Sequence, residues 1–130
     1  METMYSELYV DFLYYFNKKQ DYYECHEVLE ELWLEEGREI FYQGLLQIAV
    51  GLYHFQNDNL GGAKKMFQSA LSKLMEYPAE WMGIDVKSLR QDAQDYLSRL
   101  QAFENQPFSF VPLYIKIVDP LLKKWVEQKS

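Results

Sequence analysis

Apolar residues recur along this chain at the spacing of helices that each bury one side. In the first stretch they fall three and four residues apart, which is the pattern of a single buried stripe. The members of that stripe are Tyr5, Leu8, Tyr9, Phe12, Leu13 and Phe16. The same spacing predicts helices over about residues 21–37, 60–76 and 85–103. Residues 38–56 are apolar around most of the helical circumference, which predicts the most buried helix, at the centre of a bundle.

Capping residues and helix breakers mark the ends of these helices. Asp and Asn side chains can accept hydrogen bonds from the free amides of a first helical turn. Gly37 and the Tyr77-Pro78 pair are suited to ending helices, because glycine tolerates a left-handed backbone and proline disfavours the helical conformation before it. The predicted caps are Asp21, the run of residues 57–59, Asp85, and Asp119 with Pro120 at the first helical position.

Residues 107–118 follow no helical period and are predicted to form an extended arm that wraps the bundle. Residues 114–118 have the composition of a strand, but the sequence offers no partner strand. The predicted fold class is therefore all-α, a compact bundle of five to six helices with an extended C-terminal arm and no sheet. The length of 130 residues fits a single helical domain over residues 1–130.

Composition narrows the range of partners. The chain has 20 acidic and 13 basic residues, for a net charge of −7, and its basic residues form no stripe. Nucleic acid is therefore not an expected partner. No stretch approaches the roughly 20 apolar residues that cross a bilayer, and no signal-peptide pattern is present. The single cysteine, Cys25, excludes an internal disulfide. We expect an acidic cytoplasmic protein that binds neither membrane nor nucleic acid.

Polar residues of the second predicted helix are the first candidates for chemistry. His26 and Glu30 are four residues apart, so they are neighbours, and they lie at the edge of the apolar arc. Other glutamates of this helix, including Glu24 and Glu27, lie on the opposite side at about 100° per residue. A side chain at the edge of the arc faces either solvent or a neighbouring helix.

The third predicted helix carries a matching polar stripe. Gln43, Gln47 and His54 are its interior polar side chains, and they fall within about 40° of one another. Gly44 and Gly51 flank this stripe on one side, which predicts close approach of another backbone, since glycine is unfavourable inside a helix. Together the two helices predict a polar seam consisting of His26, Glu30, Gln43, Gln47 and His54.

Three interpretations of the polar seam remain open. In the favoured one it is a structural hydrogen-bond network, with Glu30 or Gln47 as the acceptor for His26. In the second, His26, Glu30 and His54 bind a divalent metal, although the second histidine of the zinc-protease signature is missing. In the third, the seam lines a pocket for a small polar ligand, with a histidine as acid or base. The favoured interpretation requires no metal or cofactor.

Three ordered blocks resemble a known bacterial and archaeal family, domain of unknown function 309. The first block is Phe16-Asn17 with residues 21–33 (DYYECHEVLEELW). The second is residues 43–50 (QGLLQIAV) with Tyr53-His54, Asn59 and Gly62-Ala63, and the third is Tyr77-Pro78 with residues 83–86 (GIDV). The resemblance covers about residues 16–90. It implies an α-helical bundle and no particular activity. The positions that match the polar motif of the family are Glu24, His26, Glu27, Glu30, Gln47 and His54.

The sequence contains no complete set of catalytic residues, and it therefore assigns no function. We expect a non-enzymatic helical module for protein interaction or self-association, with a homo-oligomer or a protein partner. Three aromatic residues outside the helical stripes, Trp81, Phe108 and Phe110, are candidates for a contact patch or for pinning the loop and arm onto the bundle. The alternative is a metal-dependent hydrolase or a small-ligand-binding protein that uses His26, Glu30 and His54.

Overall fold

The structure, a computed structural model, describes residues 5–37 and 39–129. Over these residues the chain forms six α-helices, which confirms the predicted helix number. None of these helices is long and apolar enough to cross a membrane. The helices are α1 (Glu7–Tyr14), α2 (Tyr22–Glu35), α3 (Ile40–Gln56), α4 (Leu60–Leu74), α5 (Val86–Gln101) and α6 (Pro120–Glu127). The predicted start of the third helix at Arg38 lies outside the described residues.

The helix ends confirm the predicted caps. In each of four helices a side-chain oxygen of the cap accepts a hydrogen bond from a backbone amide of the first turn. These bonds join Asp21 to Glu24 at 3.1 Å, and Asn59 to Gly62, Asp85 to Ser88 and Asp119 to Leu121 at 2.9 Å each. Gly37, with φ of +72°, follows the end of α2 as predicted.

Helix α3 forms the centre of the bundle, between α2 and α4. Nine of its 17 residues are buried, which confirms that the apolar circumference marks a central helix. Gly44 and Gly51 face α4, where a β-carbon on Gly51 would lie 2.9 Å from the ring of Phe67. Phe67 itself is fully buried and stacks on Tyr96 of α5 at 5.1 Å between ring centres. The glycines therefore bring α4 close to α3, on the side away from the α2 contact.

The end of the first helix differs from the prediction. The α-helical part ends at Tyr14, and a π-helical turn over Tyr15–Lys19 follows. In this turn Asn17 donates to the Ile115 carbonyl at 2.8 Å and accepts from the Ile115 amide at 2.9 Å. A π-helical turn re-aims side chains within a helix, and here it places Asn17 where it binds the arm.

The prediction of no sheet is wrong, because a small antiparallel hairpin joins α4 to α5. Strands β1 (Glu80–Trp81) and β2 (Ile84–Asp85) flank a two-residue turn at Met82 and Gly83. Both turn residues have positive φ, +50° and +77°, as the favoured two-residue hairpin turn requires. Each strand has only two residues, which is too short for an alternating pattern to appear in the sequence.

The hairpin also pairs with the arm, for which the sequence showed no partner strand. The Asp85 amide donates to the Lys116 carbonyl at 2.9 Å, and the Val118 amide donates to the Gly83 carbonyl at 2.8 Å. Ile84 and Ile117 form an antiparallel bridge. The predicted arm is therefore extended, as expected, but it is held by the hairpin as well as by the bundle.

Helix α6 is attached to α1 through Asp119. The Tyr5 hydroxyl donates to Asp119 Oδ2, and this bond, together with the Leu121 amide, holds the pKa of the Asp119 carboxyl below its usual range. A folded-state pKa below the unfolded value means that this stabilisation is complete above about pH 4 and is lost as the pH falls through the folded-state pKa.

We therefore expect acid to release α6 from α1. Trp125 on α6 lies 6.2 Å from the Tyr5 ring, so its fluorescence should shift to longer wavelength as the pH falls. Asp119→Asn keeps an oxygen acceptor but does not titrate, so its transition should be shallower and lie at lower pH. The Lys129–Asp11 ion pair at 2.6 Å is present in both proteins and cancels in the comparison. Identical acid transitions for the two proteins would contradict this role of Asp119.

Candidate functional site

The predicted polar seam lies on the outward side of the α2–α3 pair. His26, Gln43, Gln47 and His54 are half-buried, and Glu30 is exposed. Of the two other acidic residues of the motif, Glu24 is half-buried and Glu27 is exposed. The predicted seam is therefore a partly exposed surface rather than an interior network.

His26 pairs with a different acid from the one predicted. Its Nδ1 lies 3.3 Å from Glu27 Oε2, whereas Glu30 and Gln47 were the expected partners. The helical wheel separates adjacent residues by about 100°, but a flexible glutamate side chain can fold along an exposed helix surface. The side chains of His26 and Glu27 are 36% and 48% exposed, so solvent screens the pair and it adds little stability.

His54 supports the start of α4. Its Nδ1 lies 3.4 Å from Asn59 Nδ2, and because an amide nitrogen only donates, His54 Nδ1 is the acceptor in this contact. Asn59 in turn caps α4 through the Gly62 amide. A β-carbon on Gly62 would lie 2.6 Å from Asn59 and 3.0 Å from His54. Gly62 thus leaves room for the contact between the histidine and the helix cap.

Two tyrosine rings separate the two histidines. The ring centres are 6.3 Å apart for His26 and Tyr23, 5.9 Å for Tyr23 and Tyr53, and 6.4 Å for Tyr53 and His54. Across residues 5–37 and 39–129, no group of three His, Cys, Asp or Glu side chains is placed to hold a metal ion. His26, Glu30 and His54 therefore form no such group in the described part of the chain.

The tyrosines belong to an exposed apolar surface that the sequence did not identify. Tyr23 and Leu34 of α2 are each 53% exposed, and Ile40 and Tyr53 of α3 are 45% and 37% exposed. Because α2 and α3 are joined by a short connection, Tyr23 and Tyr53 meet at one end of the pair. Leu34 and Ile40 lie at the other end. We call this surface the α2–α3 face, with its polar centre; it comprises Tyr23, Glu27, Glu30, Leu34, Gln43, Gln47 and Tyr53.

The centre of the α2–α3 face contains a buried acceptor. Gln47 Oε1 is shielded from solvent and has no hydrogen-bond partner among the described residues. Leu46 and Val50, which lie on the same outward arc of α3, are half-buried beside it. A buried acceptor without a partner is unfavourable by about 1–3 kcal/mol.

Cys25 lies on the inner side of α2 and is part of the core. Its side chain is fully buried, and Sγ donates weakly to the Phe12 carbonyl at 3.8 Å. Burial raises the pKa of the Cys25 thiol, and the nearby carboxylates of Asp21 and Glu24 raise it further. A thiol with a raised pKa and no access to solvent is a packing residue rather than a nucleophile.

Two of the three aromatic residues outside the helical stripes hold the arm in place. The Phe108 ring lies 4.9 Å from that of Phe55, with the Arg99 guanidinium 4.1 Å above it. Phe110 lies 5.9 Å from Tyr22. These contacts confirm the pinning role, so Phe108 and Phe110 are not free to form a contact patch. Trp81 is 41% exposed.

Comparison with known proteins confirms the resemblance in part of the chain. Residues 9–66 match the family described as domain of unknown function (DUF309). This segment includes the first two blocks of the resemblance and the first seven residues of α4, whereas the third block, residues 77–86, lies outside it. The α2–α3 face therefore lies entirely within the matched segment.

Two bacterial relatives are similar over longer stretches. An uncharacterized protein of Bacillus subtilis (strain 168), YpuF, is 34% identical over 110 residues, which are 78% of this chain and 63% of the Bacillus protein. An uncharacterized protein of Aquifex aeolicus (strain VF5) is 31% identical over 80 residues, which are 59% of this chain and 24% of the Aquifex protein. The chain thus spans less than two thirds of either relative, and neither name states an activity.

Proposed function

We propose that this chain is a non-enzymatic interaction module whose α2–α3 face binds a basic amphipathic helix of a protein partner. The observation that carries the proposal is the exposed pair of Tyr23 and Tyr53, whose ring centres are 5.9 Å apart. Tyrosine is enriched among the residues that dominate binding energy at protein interfaces. Of eight large apolar side chains that are exposed among the described residues, four lie on α2 or α3.

The charge around this face favours a basic partner over a second copy of the chain. The outer side of α2 carries Glu27, Glu30, Glu31 and Glu35, all exposed, and the chain has a net charge of −7. A symmetric dimer through this face would bring the same glutamates near one another, and like charges at an interface are unfavourable. A partner with lysine or arginine beside its apolar stripe would meet the glutamates with opposite charge.

The layout of the face matches one helix of about three turns. Tyr23 and Leu34 are eleven residues apart on α2, so the two apolar ends are separated by about 16 Å at 1.5 Å per residue. An amphipathic helix places apolar anchors at similar intervals along one side. The exposed Glu27 and Glu30 lie between these ends, where a basic side chain of the partner can donate hydrogen bonds.

The positions of the two histidines support a role in binding rather than catalysis. His26 pairs with Glu27 at the exposed edge of the face, and His54 accepts from the Asn59 side chain at the start of α4. Each histidine thus contacts a residue close to it in sequence, and the tyrosine pair lies between the two histidines. A histidine that acts as general base needs a substrate proton within hydrogen-bond reach and a pocket that holds the substrate.

The proposal predicts that a synthetic helix of about 14 residues, with a leucine stripe flanked by lysines, binds through the tyrosine pair. Replacing both tyrosines, Tyr23→Ala with Tyr53→Ala, should weaken binding by about 30-fold or more, the effect of losing one strong interface anchor. Isothermal titration calorimetry measures the affinity. The double variant keeps the net charge, so non-specific attraction of the basic peptide is unchanged.

Two controls make the test specific. Met75→Ala with Tyr114→Ala removes two side chains that are 71% and 60% exposed outside the α2–α3 face, and it should leave the affinity unchanged. A peptide with glutamate in place of lysine should not bind. Equal affinity for the wild type and the Tyr23/Tyr53 variant would refute the proposal. So would a concentration-dependent dimer in sedimentation that the same variant abolishes, because the occupant would then be a second copy.

A further inference from the structure

A small cavity lies between the start of α3 and the β1–β2 hairpin, and none of the residues that line it belongs to the α2–α3 face. Its volume is about 220 Å³. Drug-sized ligands occupy pockets of roughly 300–1,000 Å³, so this cavity suits a small group rather than a whole cofactor. The residues that line it are Glu36, Glu39, Phe41, Tyr42, Trp81 and Met82.

Two carboxylates give the cavity a negative potential. Glu36 and Glu39 act on Tyr42, whose pKa is raised to about 12 by burial and then by these two charges. Glu39 Oε1 accepts a hydrogen bond from the Tyr77 hydroxyl at 2.6 Å, which fixes the orientation of this carboxylate. No lysine or arginine is among the described residues that line the cavity. The charges of the two glutamates therefore lack a cationic partner within this lining.

Three aromatic side chains, Phe41, Tyr42 and Trp81, form most of the remaining wall, with Met82. The ring centre of Phe41 lies 5.9 Å from that of Tyr42 and 5.1 Å from that of Tyr77, and Tyr77 lies 5.8 Å from Trp81. Trp81 is 41% exposed, so its ring is accessible to a ligand that enters the cavity. The faces of aromatic rings attract cations, tryptophan most strongly. Carboxylates and aromatic faces thus select for the same kind of ligand, an organic cation.

We propose that this cavity binds a guanidinium group on a short alkyl stem, a site that is separate from the function proposed above. A guanidinium is planar, stacks on aromatic rings and donates paired hydrogen bonds to carboxylates, so it uses both kinds of wall. Ca²⁺ would need more oxygen ligands than two glutamates supply. The group can come from a free small guanidine or from an arginine side chain of a protein, and both present the same chemistry.

The test is a titration of the whole chain with butylguanidine, followed by the ¹H–¹⁵N signal of the Trp81 indole. Trp81→Leu identifies that signal by its loss. We expect saturable shifts of the Trp81 signal with butylguanidine and none with butylurea, which has nearly the same shape but no charge. Glu39→Gln keeps the acceptor for Tyr77 and removes the charge. It should weaken binding by roughly 5- to 10-fold, as expected for one charge-assisted contact.

A matched variant controls for general loss of negative charge. Glu104 is exposed and follows the far end of α5, whose 16 residues span about 24 Å from the hairpin. Glu104→Gln should therefore leave the affinity for butylguanidine unchanged. A peptide Ala-Ala-Arg-Ala-Ala that binds more tightly than butylguanidine would identify a protein arginine as the source of the group, and equal affinity would identify a free guanidine.

Three results would overturn the proposal. The first is the absence of a Trp81 shift at about 10 mM butylguanidine, where a site with a Kd of 1 mM would be mostly filled. The second is an equal response to butylurea or an equal affinity in Glu39→Gln. The third concerns Arg38, which lies outside the described residues and is next to Glu39 in sequence. Binding that occurs only after Arg38→Ala would mean that the occupant is the chain's own arginine.

Discussion

Replacing Phe67 by alanine is expected to lower the free energy of unfolding by about 3–5 kcal/mol, as for other buried phenylalanines. Phe67 is fully buried between α3 and α5, and its ring stacks on Tyr96 at an interplanar angle of 7°. Its loss leaves a cavity beside Gly51, which has no side chain to fill the space. Urea denaturation followed by circular dichroism measures the change. Met75→Ala, also near α4 but 71% exposed, should change stability by less than about 0.5 kcal/mol.

Gly51 lies against the Phe67 ring, so substitutions at the two positions should affect each other's stability. Gly51→Ala alone should be destabilising by about 1–3 kcal/mol, because the new methyl group would overlap the Phe67 ring. Gly61→Ala has nothing within 4 Å of its new methyl group and should gain up to about 1 kcal/mol from helix propensity. In the Phe67→Ala background the penalty of Gly51→Ala should fall sharply, because only the contact with Met66 Cβ at 3.3 Å remains. Additive effects of the two substitutions would show that they are not in contact.

The helices could be predicted from the sequence because their signals are local. Asp21, Asn59 and Asp85 each cap a helix through an amide within three residues, so the cap and its partner stand side by side in the sequence. The apolar circumference of α3 likewise shows, from its own residues alone, that the helix is surrounded by other helices. The helix starts, the order of the elements and the central position of α3 all follow from such short-range patterns.

The hairpin and the path of the arm depend on distant partners and could not be predicted in the same way. The Asn17 side chain hydrogen-bonds to the backbone of Ile115, 98 positions further along the chain, and the Gly83 carbonyl accepts a hydrogen bond from the Val118 amide. Neither pair has a period or a spacing that a single sequence displays. The Met82-Gly83 turn was the one local indication of the hairpin. Its two positive φ values put Met82, as well as Gly83, in the left-handed region that residues other than glycine rarely adopt.

Helical spacing predicted the residues of the candidate site but not their contacts. His26 contacts Glu27, and His54 contacts Asn59, whereas Glu30 and Gln47 were the expected acceptors for His26. The partners of the two histidines depend on flexible side chains and on the start of α4, which the spacing does not contain. Tyr23 and Tyr53 were missed because tyrosine at a helical position is expected to be in the core. Whether it is buried or exposed depends on which neighbouring helix covers it.

The second large effect concerns Cys25, whose thiol should be protected from modification in the folded chain. It is the one cysteine in the sequence, it is fully buried against α1, and burial raises its thiol pKa. An aromatic disulfide reagent reacts with an accessible thiolate, so both effects slow the reaction. At pH 8 we expect labelling at least about 10³-fold slower than in the urea-unfolded chain, because modification requires opening of the structure. The absorbance of the released thiol gives the rate.

Comparison with variants identifies the opening that exposes the thiol. In Cys25→Ala with Met75→Cys the thiol replaces a side chain that is 71% exposed, so labelling should be within about tenfold of the unfolded rate. In Phe67→Ala, labelling of Cys25 should accelerate by about 10²-fold or more if it requires global unfolding, since a loss of 3 kcal/mol raises the unfolded population by that factor. An unchanged slow rate in Phe67→Ala would instead assign the exposure to separation of α1 from α2 alone. Fast labelling of Cys25 in the native wild type would contradict the packing of Cys25 against Phe12.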